Sequence, residues 1–267
     1  MKKLILICVN YNSYEALRDF LESVNLAAAQ AADVMRVDVA IADNSTTLQA
    51  IDTAYAHINS IITEAKGNLG YLGGALPLYN AYAQAYDYVS ISNVDLQLAK
   101  DFFIRMLEIQ DDSIGWIAPD IYTGKIDRHE NPSMLKCPTT RNFAIWNIIY
   151  SCTFIYRIYH FLYLLKSKKR ANVHASTIYA GHGSFMLFTS RFIAHYPELH
   201  FPTFMYGEEI FFAELTHAAR LKVWYAPELQ INNIGNISTG QLSLKQRANW
   251  SKESLLALQK QFFTTNE

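Results

Sequence analysis

The chain has 267 residues, of which 51% are hydrophobic and 18% charged, with a formal net charge of −1. This composition excludes a disordered chain, and the near-neutral balance excludes a protein that holds nucleic acid by global charge. The three cysteines, Cys8, Cys137 and Cys152, are scattered and odd in number; they give neither a disulfide framework nor metal-ligand spacing, which favours a reducing compartment.

Lys2-Lys3 before the apolar run Leu4 to Val9 has the outline of a secretory leader. The run stops at Asn10 without a small-residue cleavage site, so a first buried strand is expected instead. Asn12 and Glu15 have capping-box spacing, and Leu17, Phe20, Leu21 and Val24 repeat behind them at helical spacing. Val37, Val39 and Ile41 alternate as a second strand that runs into Asp43-Asn44-Ser45. Ile58 to Ile62 predicts a third strand, followed by a glycine-rich loop over 67–74. A helix is expected from about Ala75 to Tyr86, with Pro77 tolerated in its first turn. Tyr88, Val89 and Ile91 then form a strand core that ends at Asp95. A helix near Asp101 to Gln110 and a strand over Trp116 to Ile121 follow. This βαβα order predicts an α/β fold with a doubly wound, mainly parallel sheet.

The second half is less regular. Asn142 to Leu165 is aromatic-rich and closes on Lys166, Lys168, Lys169 and Arg170. Asn147, Arg157 and His160 interrupt it, and a charge in mid-span is costly, so two amphipathic helices are expected rather than a membrane span. They either pack as core and lid or attach to a membrane surface with help from the basic run. Further on come an apolar segment over Ser184 to Phe188, a helix over Glu208 to Ala219 and a strand over Leu221 to Tyr225. A last amphipathic helix carries Leu255, Leu256, Leu258, Phe262 and Phe263. No clean boundary is visible, so one domain over 1–267 is expected.

Four polar clusters fall at predicted strand ends: Asn10-Tyr11-Asn12, Asp43-Asn44-Ser45, the glycines of 67–74, and Asn93-Val94-Asp95. Each alone is ordinary turn chemistry. Parallel strands bring all four to one edge, where open α/β sheets bind ligands. Asp43 suits a nucleobase or ribose hydroxyl, the glycines admit backbone amides close to a ligand, and Asp95 suits a metal-bridged phosphate. The glycine run lacks the Gly-Lys-Ser/Thr of a P-loop and follows the third strand, which argues against a dinucleotide fingerprint. Glu208 and Glu209 open a predicted helix. Dipole complementarity explains them, and so does a general base for a hydroxyl nucleophile.

Taken in order, these residues resemble family 2 glycosyltransferases of the GT-A fold, especially the bacterial rhamnosyltransferase-like branch. Val9-Asn10-Tyr11-Asn12-Ser13 resembles its opening strand and turn, and Ala42-Asp43-Asn44-Ser45 its nucleotide-binding turn. Asn68-Leu69-Gly70-Tyr71-Leu72-Gly73-Gly74 is similar to its Asn-X-Gly-aromatic loop, and Ser92-Asn93-Val94-Asp95 to its metal motif. Gly181-His182-Gly183-Ser184-Phe185-Met186 resembles the glycine segment before the catalytic acids, where Glu208-Glu209 stand for Glu-Asp. The match spans Leu4 to Ser238.

The resemblance implies a Rossmann-like sheet flanked by helices, with a nucleotide-binding half over 1–122 and an acceptor half over 123–240. The helical insertion lies at about 142–170 and a C-terminal helix within 241–267. It implies inverting transfer of a sugar, hexosyltransferase-like, from a nucleotide-sugar donor to a hydroxyl of a cell-surface glycan or lipid-linked precursor. The location implied is cytoplasmic or peripheral on the inner face of the cell membrane; the aromatic insertion itself suggests peripheral membrane contact through 143–170, and the net charge no nucleic-acid partner. Donor-binding residues would be Asn10, Tyr11, Asn12, Asp43, Asn68, Gly70, Tyr71, Gly73, Gly74, Asn93 and Asp95. Glu209 would be the base and Glu208 would orient it, with His182, Gly183 and Tyr206 at the acceptor. A divalent cation, Mn²⁺ or Mg²⁺, would sit on Asp95 and on Asn233, which stands where the family has His. An amide oxygen is the weaker ligand, which leaves open a catalytically weakened nucleotide-sugar-binding protein of the same fold.

Overall fold

In the computed structural model, which describes residues 1–165, 174–235 and 243–263, alternation along the first strand already fixes two layers. Within β1 (Lys2–Asn10), Leu4, Leu6 and Cys8 enter one apolar cluster while Ile5 and Ile7 enter another. Successive strand side chains point to opposite faces, so this continuous apolar run needs cover on both sides. On one side α1 (Tyr14–Gln30) supplies Leu17, Phe20, Leu21 and Val24. On the other α2 (Tyr71–Tyr82) supplies Leu72, Ala75, Leu76 and Tyr79.

The remaining strands are β2 (Met35–Asp43), β3 (Ser60–Glu64), β4 (Tyr88–Asn93), β5 (Leu96–Leu98), β6 (Ile114–Thr123), β7 (Arg128–His129), β8 (Ser176–Ile178), β9 (Phe185–Thr189) and β10 (Lys222–Asn233). The remaining helices are α3 (Phe102–Glu108), α4 (Thr140–Ser151), α5 (Thr153–Leu165), α6 (Ser190–His195), α7 (Glu208–Ala218) and α8 (Leu244–Leu258). All ten strands join one sheet in the order β3-β2-β1-β4-β9-β6-β10-β5, with β7 on β6 and β8 on β10. The long ladders β1 with β2, β1 with β4, β2 with β3 and β6 with β10 are parallel. The expected α/β class with a mainly parallel sheet is therefore observed. What the sequence did not disclose is β9, which runs antiparallel between β4 and β6.

Several boundaries differ for physical reasons. The expected capping box at Asn12 is absent, because its amide oxygen accepts from Thr46 N and Oγ1 at 3.1 Å each, and Ser13 is the N-cap. The third strand starts at Ser60, two residues late. Most telling, α2 begins at Tyr71, so half of the expected glycine loop is helix and Pro77 lies inside it. Proline offers no N–H to the carbonyl of Gly73. Burial of Leu72, Ala75, Leu76, Leu78 and Tyr79 outweighs that loss. Strand β5 was not anticipated, and β10 continues through an irregularity between Ala226 and Gln230 to end at Asn233.

The aromatic insertion forms the expected helix pair. Thr139 caps α4 in a reciprocal box with Asn142. Among the described residues no helix is long and apolar enough to cross a membrane. The basic run at 166–170 and residues 236–238 of the late motif lie outside the described residues.

Candidate active site

The carboxyl ends of β1, β2 and β4 open onto a cavity of about 750 Å³. Val9, Tyr11, Asn44, Asn93 and Asp95 reach its wall from those strand ends, with Asn68, Gly70 and Tyr71 from the start of α2. The second half of the chain adds His182, Gly183, Tyr206, Glu208, Glu209 and Asn233 to the lining. Twelve of the expected site residues therefore share one cavity: Tyr11, Asn68, Gly70, Tyr71, Asn93, Asp95, His182, Gly183, Tyr206, Glu208, Glu209 and Asn233.

Five others stand behind the wall. Asn10, Asn12, Asp43, Gly73 and Gly74 do not line the cavity. Asp43 is only 2% exposed; it accepts from Asn10 Nδ2 and Ser45 N at 3.1 Å each and from the Tyr14 hydroxyl at 2.7 Å. Asn10, itself buried, also accepts from Ser13 N, and so ties the first turn to the second. Gly74 leaves room for Asn44, whose amide donates to the Gly70 carbonyl at 2.8 Å. Gly70 has φ +79° and abuts the Phe204 backbone, so no side chain fits there. These residues hold the turns that present the lining.

Glu208 and Glu209 sit in a tight network. The Glu209 Oε1 accepts the Gly183 N–H at 3.1 Å, and the Gly183 carbonyl accepts the Tyr71 hydroxyl at 2.9 Å. A Cβ on Gly183 would collide with the Glu208 side chain, so this glycine lets the carboxylate lie against backbone. Glu208 keeps a face on the cavity yet is surrounded by protein. Burial, and then the neighbouring Glu209, push its carboxyl up to about 8. The Tyr71 phenol is held far above its ordinary range by burial first, then by Glu208, Glu209 and Asp95. Tyr71 thus stays protonated beside three acidic side chains and donates a hydrogen bond to the Gly183 carbonyl. Gly207, at φ +89° against Ser254, starts α7 and aims both glutamates inward.

Asp95 and Asn233 are brought together by the unforeseen strand pair. Asn233 pairs with Leu96 across β10 and β5, and Ile234 N donates to the Asp95 carbonyl at 3.0 Å. The Asn233 amide oxygen accepts from Gly235 N at 2.8 Å, and it has a second lone pair. Among the described residues no group of three His, Cys, Asp or Glu side chains is placed to hold a metal ion. One carboxylate and an amide oxygen suit a cation that takes its other ligands from phosphate and water. The described cavity wall carries no Lys or Arg. A diphosphate facing Asp95 and Glu209 would meet negative charge with no Lys or Arg beside it, so this donor set fits a divalent cation.

Aromatic lining is the part that motif reading missed. Trp146, Tyr150, Tyr156, Tyr159 and His160 from α4 and α5, with Phe204 and Trp250, wall the side away from the strand ends. Burial and Arg247 lower the His160 pKa below its ordinary value. The His182 backbone N–H donates to Asn131 Oδ1 at 2.7 Å, and its ring Nδ1 shares a 2.8 Å bond with Ser184 Oγ. The aromatic density of 143–165 was a signal, but only the fold assigns its inner face to the cavity.

No protein-family model matches the chain, and no curated protein matches it in sequence. Solved structures do match in shape. S. aureus TarS superposes with a TM-score of 0.54 at 14% identity, over 97% of this chain and 44% of that one. A TarS structure covering 1–349 gives 0.51 at 13% identity, over 99% of this chain and 73% of that one. GalNAc-T7, crystallised with UDP, GalNAc and Mn²⁺, gives 0.56 at 10% identity, over 97% of this chain and 48% of that one. The chain therefore spans less than half the length of TarS and of GalNAc-T7. At such identities the likeness establishes the fold, which is the GT-A-like fold of glycosyltransferases.

Proposed function

We propose that this protein is an inverting glycosyltransferase that moves a hexose-like sugar from a nucleotide-sugar donor to a hydroxyl of a cell-surface glycan or its lipid-linked precursor. One observation carries the reading: a single cavity on a GT-A-like fold gathers Asp95 from a strand end and Glu208 and Glu209 from a helix over a hundred residues later. The UDP and GalNAc bound by GalNAc-T7 support a donor of that chemical class. The motif order favours the bacterial rhamnosyltransferase-like branch and a site of action at the inner face of the cell envelope. In this reading residues 1–122 hold the donor and 123–240 the acceptor, with the C-terminal helix closing the wall within one domain.

The chemistry follows from two carboxyls with different surroundings. Glu209, oriented by the Gly183 N–H, accepts the proton of the acceptor hydroxyl. The acceptor oxygen forms its bond to the anomeric carbon from the face opposite the diphosphate. The bond from that carbon to the diphosphate oxygen breaks, and its electron pair leaves with the diphosphate. Glu208, protonated at neutral pH, serves as a hydrogen-bond donor that orients acceptor or base. Asp95 and Asn233 would hold Mn²⁺ or Mg²⁺, which when bound supplies the positive charge missing from the wall. Asp43 and Asn10 shape the turn that receives the nucleoside, and His182, Gly183 and Tyr206 face the acceptor.

Asn233 in a histidine position favours a second reading, a nucleotide-sugar-binding protein with weakened catalysis. A transfer assay separates the two. Glu209→Gln should retain donor binding and lower transfer by about 10²–10⁴-fold. Full transfer by that variant removes Glu209 as base, and a wild type that binds donor without transferring sugar supports the second reading.

A further inference from the structure

Sixteen large apolar side chains are exposed among the described residues, and seven of them, besides the cavity-lining Tyr159, lie between Ile145 and Leu162 on α4 and α5. Phe154 is 69% exposed, Ile148 61% and Phe161 60%. Single exposed residues need no explanation, but a contiguous cluster marks a surface that meets something. The inner side of this hairpin is already committed, since Tyr150, Tyr156 and His160 line the cavity. Tyr150 and Tyr156 pack edge to face at 5.9 Å and hold the two helices together. Along α5, Phe154, Ile158 and Phe161 are four and three residues apart and share the face turned away from Tyr156.

The distribution of charge identifies what covers that face. From Asn131 to Pro197 the sequence contains no Asp or Glu but eight Lys and Arg, of which Lys166, Lys168, Lys169 and Arg170 lie outside the described residues. The rest of the chain carries 15 Lys and Arg against 24 acidic residues. An apolar helix face within a purely basic stretch is complementary to an anionic lipid surface, where apolar groups enter the acyl boundary and cations meet head groups. A second copy is the poorer occupant, because a two-fold interface would set the same basic stretch against itself. Among the described residues α5 has 13, fewer than the about 20 that a bilayer needs.

We propose that the outer face of the α4–α5 hairpin docks on an anionic lipid bilayer and holds the aromatic side of the cavity at its surface. The acceptor is then a lipid-borne saccharide; that clause rests on the glycosyl-transfer reading, whereas the docking does not.

The test is co-sedimentation of the full chain with vesicles of phosphatidylcholine, alone or mixed with phosphatidylglycerol. The protein should partition onto the mixed vesicles and much less onto phosphatidylcholine alone. Phe154→Ser with Phe161→Ser should weaken that partition about tenfold or more, as expected for removing two inserted rings. Nucleotide-sugar binding by the same variant, measured by calorimetry, should match wild type and shows that it is folded. If the variant loses its fold, Ile148→Ser alone should still weaken vesicle binding. Equal binding by the variants, or none by wild type on anionic vesicles, overturns the docking. A wild-type dimer that the substitutions dissolve would assign the face to a second copy and also overturn it. A wild type that docks on vesicles but binds no nucleotide sugar leaves the docking intact and removes the lipid-borne acceptor.

Discussion

Glu208 and Glu209 are adjacent and chemically identical, and only their surroundings separate them. Glu209 is oriented by a backbone N–H, whereas Glu208 is pressed against Gly183 and held neutral to about 8. The folded protein therefore keeps a proton that the unfolded chain releases near 4.5. Within that window the folded state binds more protons, so this group's contribution to stability falls as pH rises and levels off above the folded value. Glu208→Gln cannot ionise and should remove that slope. In thermal melts from about pH 5 to pH 9, the variant should gain Tm relative to wild type as pH rises. A difference independent of pH would contradict the buried, neutral Glu208. Both glutamates and Asp95 were legible in the sequence because each lies in a local motif. The role of Tyr71 was not, since its partner Gly183 is 112 residues away and the contact exists only after folding.

At the scale of elements, the sequence disclosed what depends on period and concealed what depends on pairing. The continuous apolar run of β1 was readable because both its faces meet apolar neighbours, and the helical spacing of α1 because only one of its faces does. The start of α2 was not, because glycines and Pro77 signal a loop while burial of one face enforces a helix. Nor was β5, whose three residues carry no period of their own and are fixed by β10. Helix α7 shows how an element transmits packing to the site. Phe212 is fully buried, 4.6 Å from Phe188 and 6.5 Å from Trp116, and anchors the helix that begins with the two glutamates. Phe212→Ala should cost about 3–5 kcal/mol in denaturant unfolding. Transfer should fall with it, through a displaced Glu209. A loss below about 1 kcal/mol would show that the site can be held without this cluster.

Across the whole molecule, two halves of the chain meet over one sheet edge. The first half was legible as a nucleotide-type α/β unit, because parallel strands end in polar turns at predictable intervals. The second half inserts β9 antiparallel beside β4, which carries Gly183 and Ser184 to the cavity next to Asn93. No local pattern announces that insertion, so the meeting of Asp95 with Glu209 rested on motif order until the fold brought it about. The same topology places Asn233 beside Asp95, and the described wall carries no Lys or Arg. The central claim is thus a nucleotide-sugar pocket whose negative charge is offset by a divalent cation. The most direct measurement is calorimetric titration of a panel of nucleotide sugars with and without Mn²⁺ or Mg²⁺, on wild type and Asp95→Ala. At least one donor should bind wild type about tenfold or more tightly with the metal than without it, and Asp95→Ala should lose that gain. If no nucleotide sugar binds under any condition, or if Asp95→Ala retains the full metal effect, the pocket is not what its geometry implies.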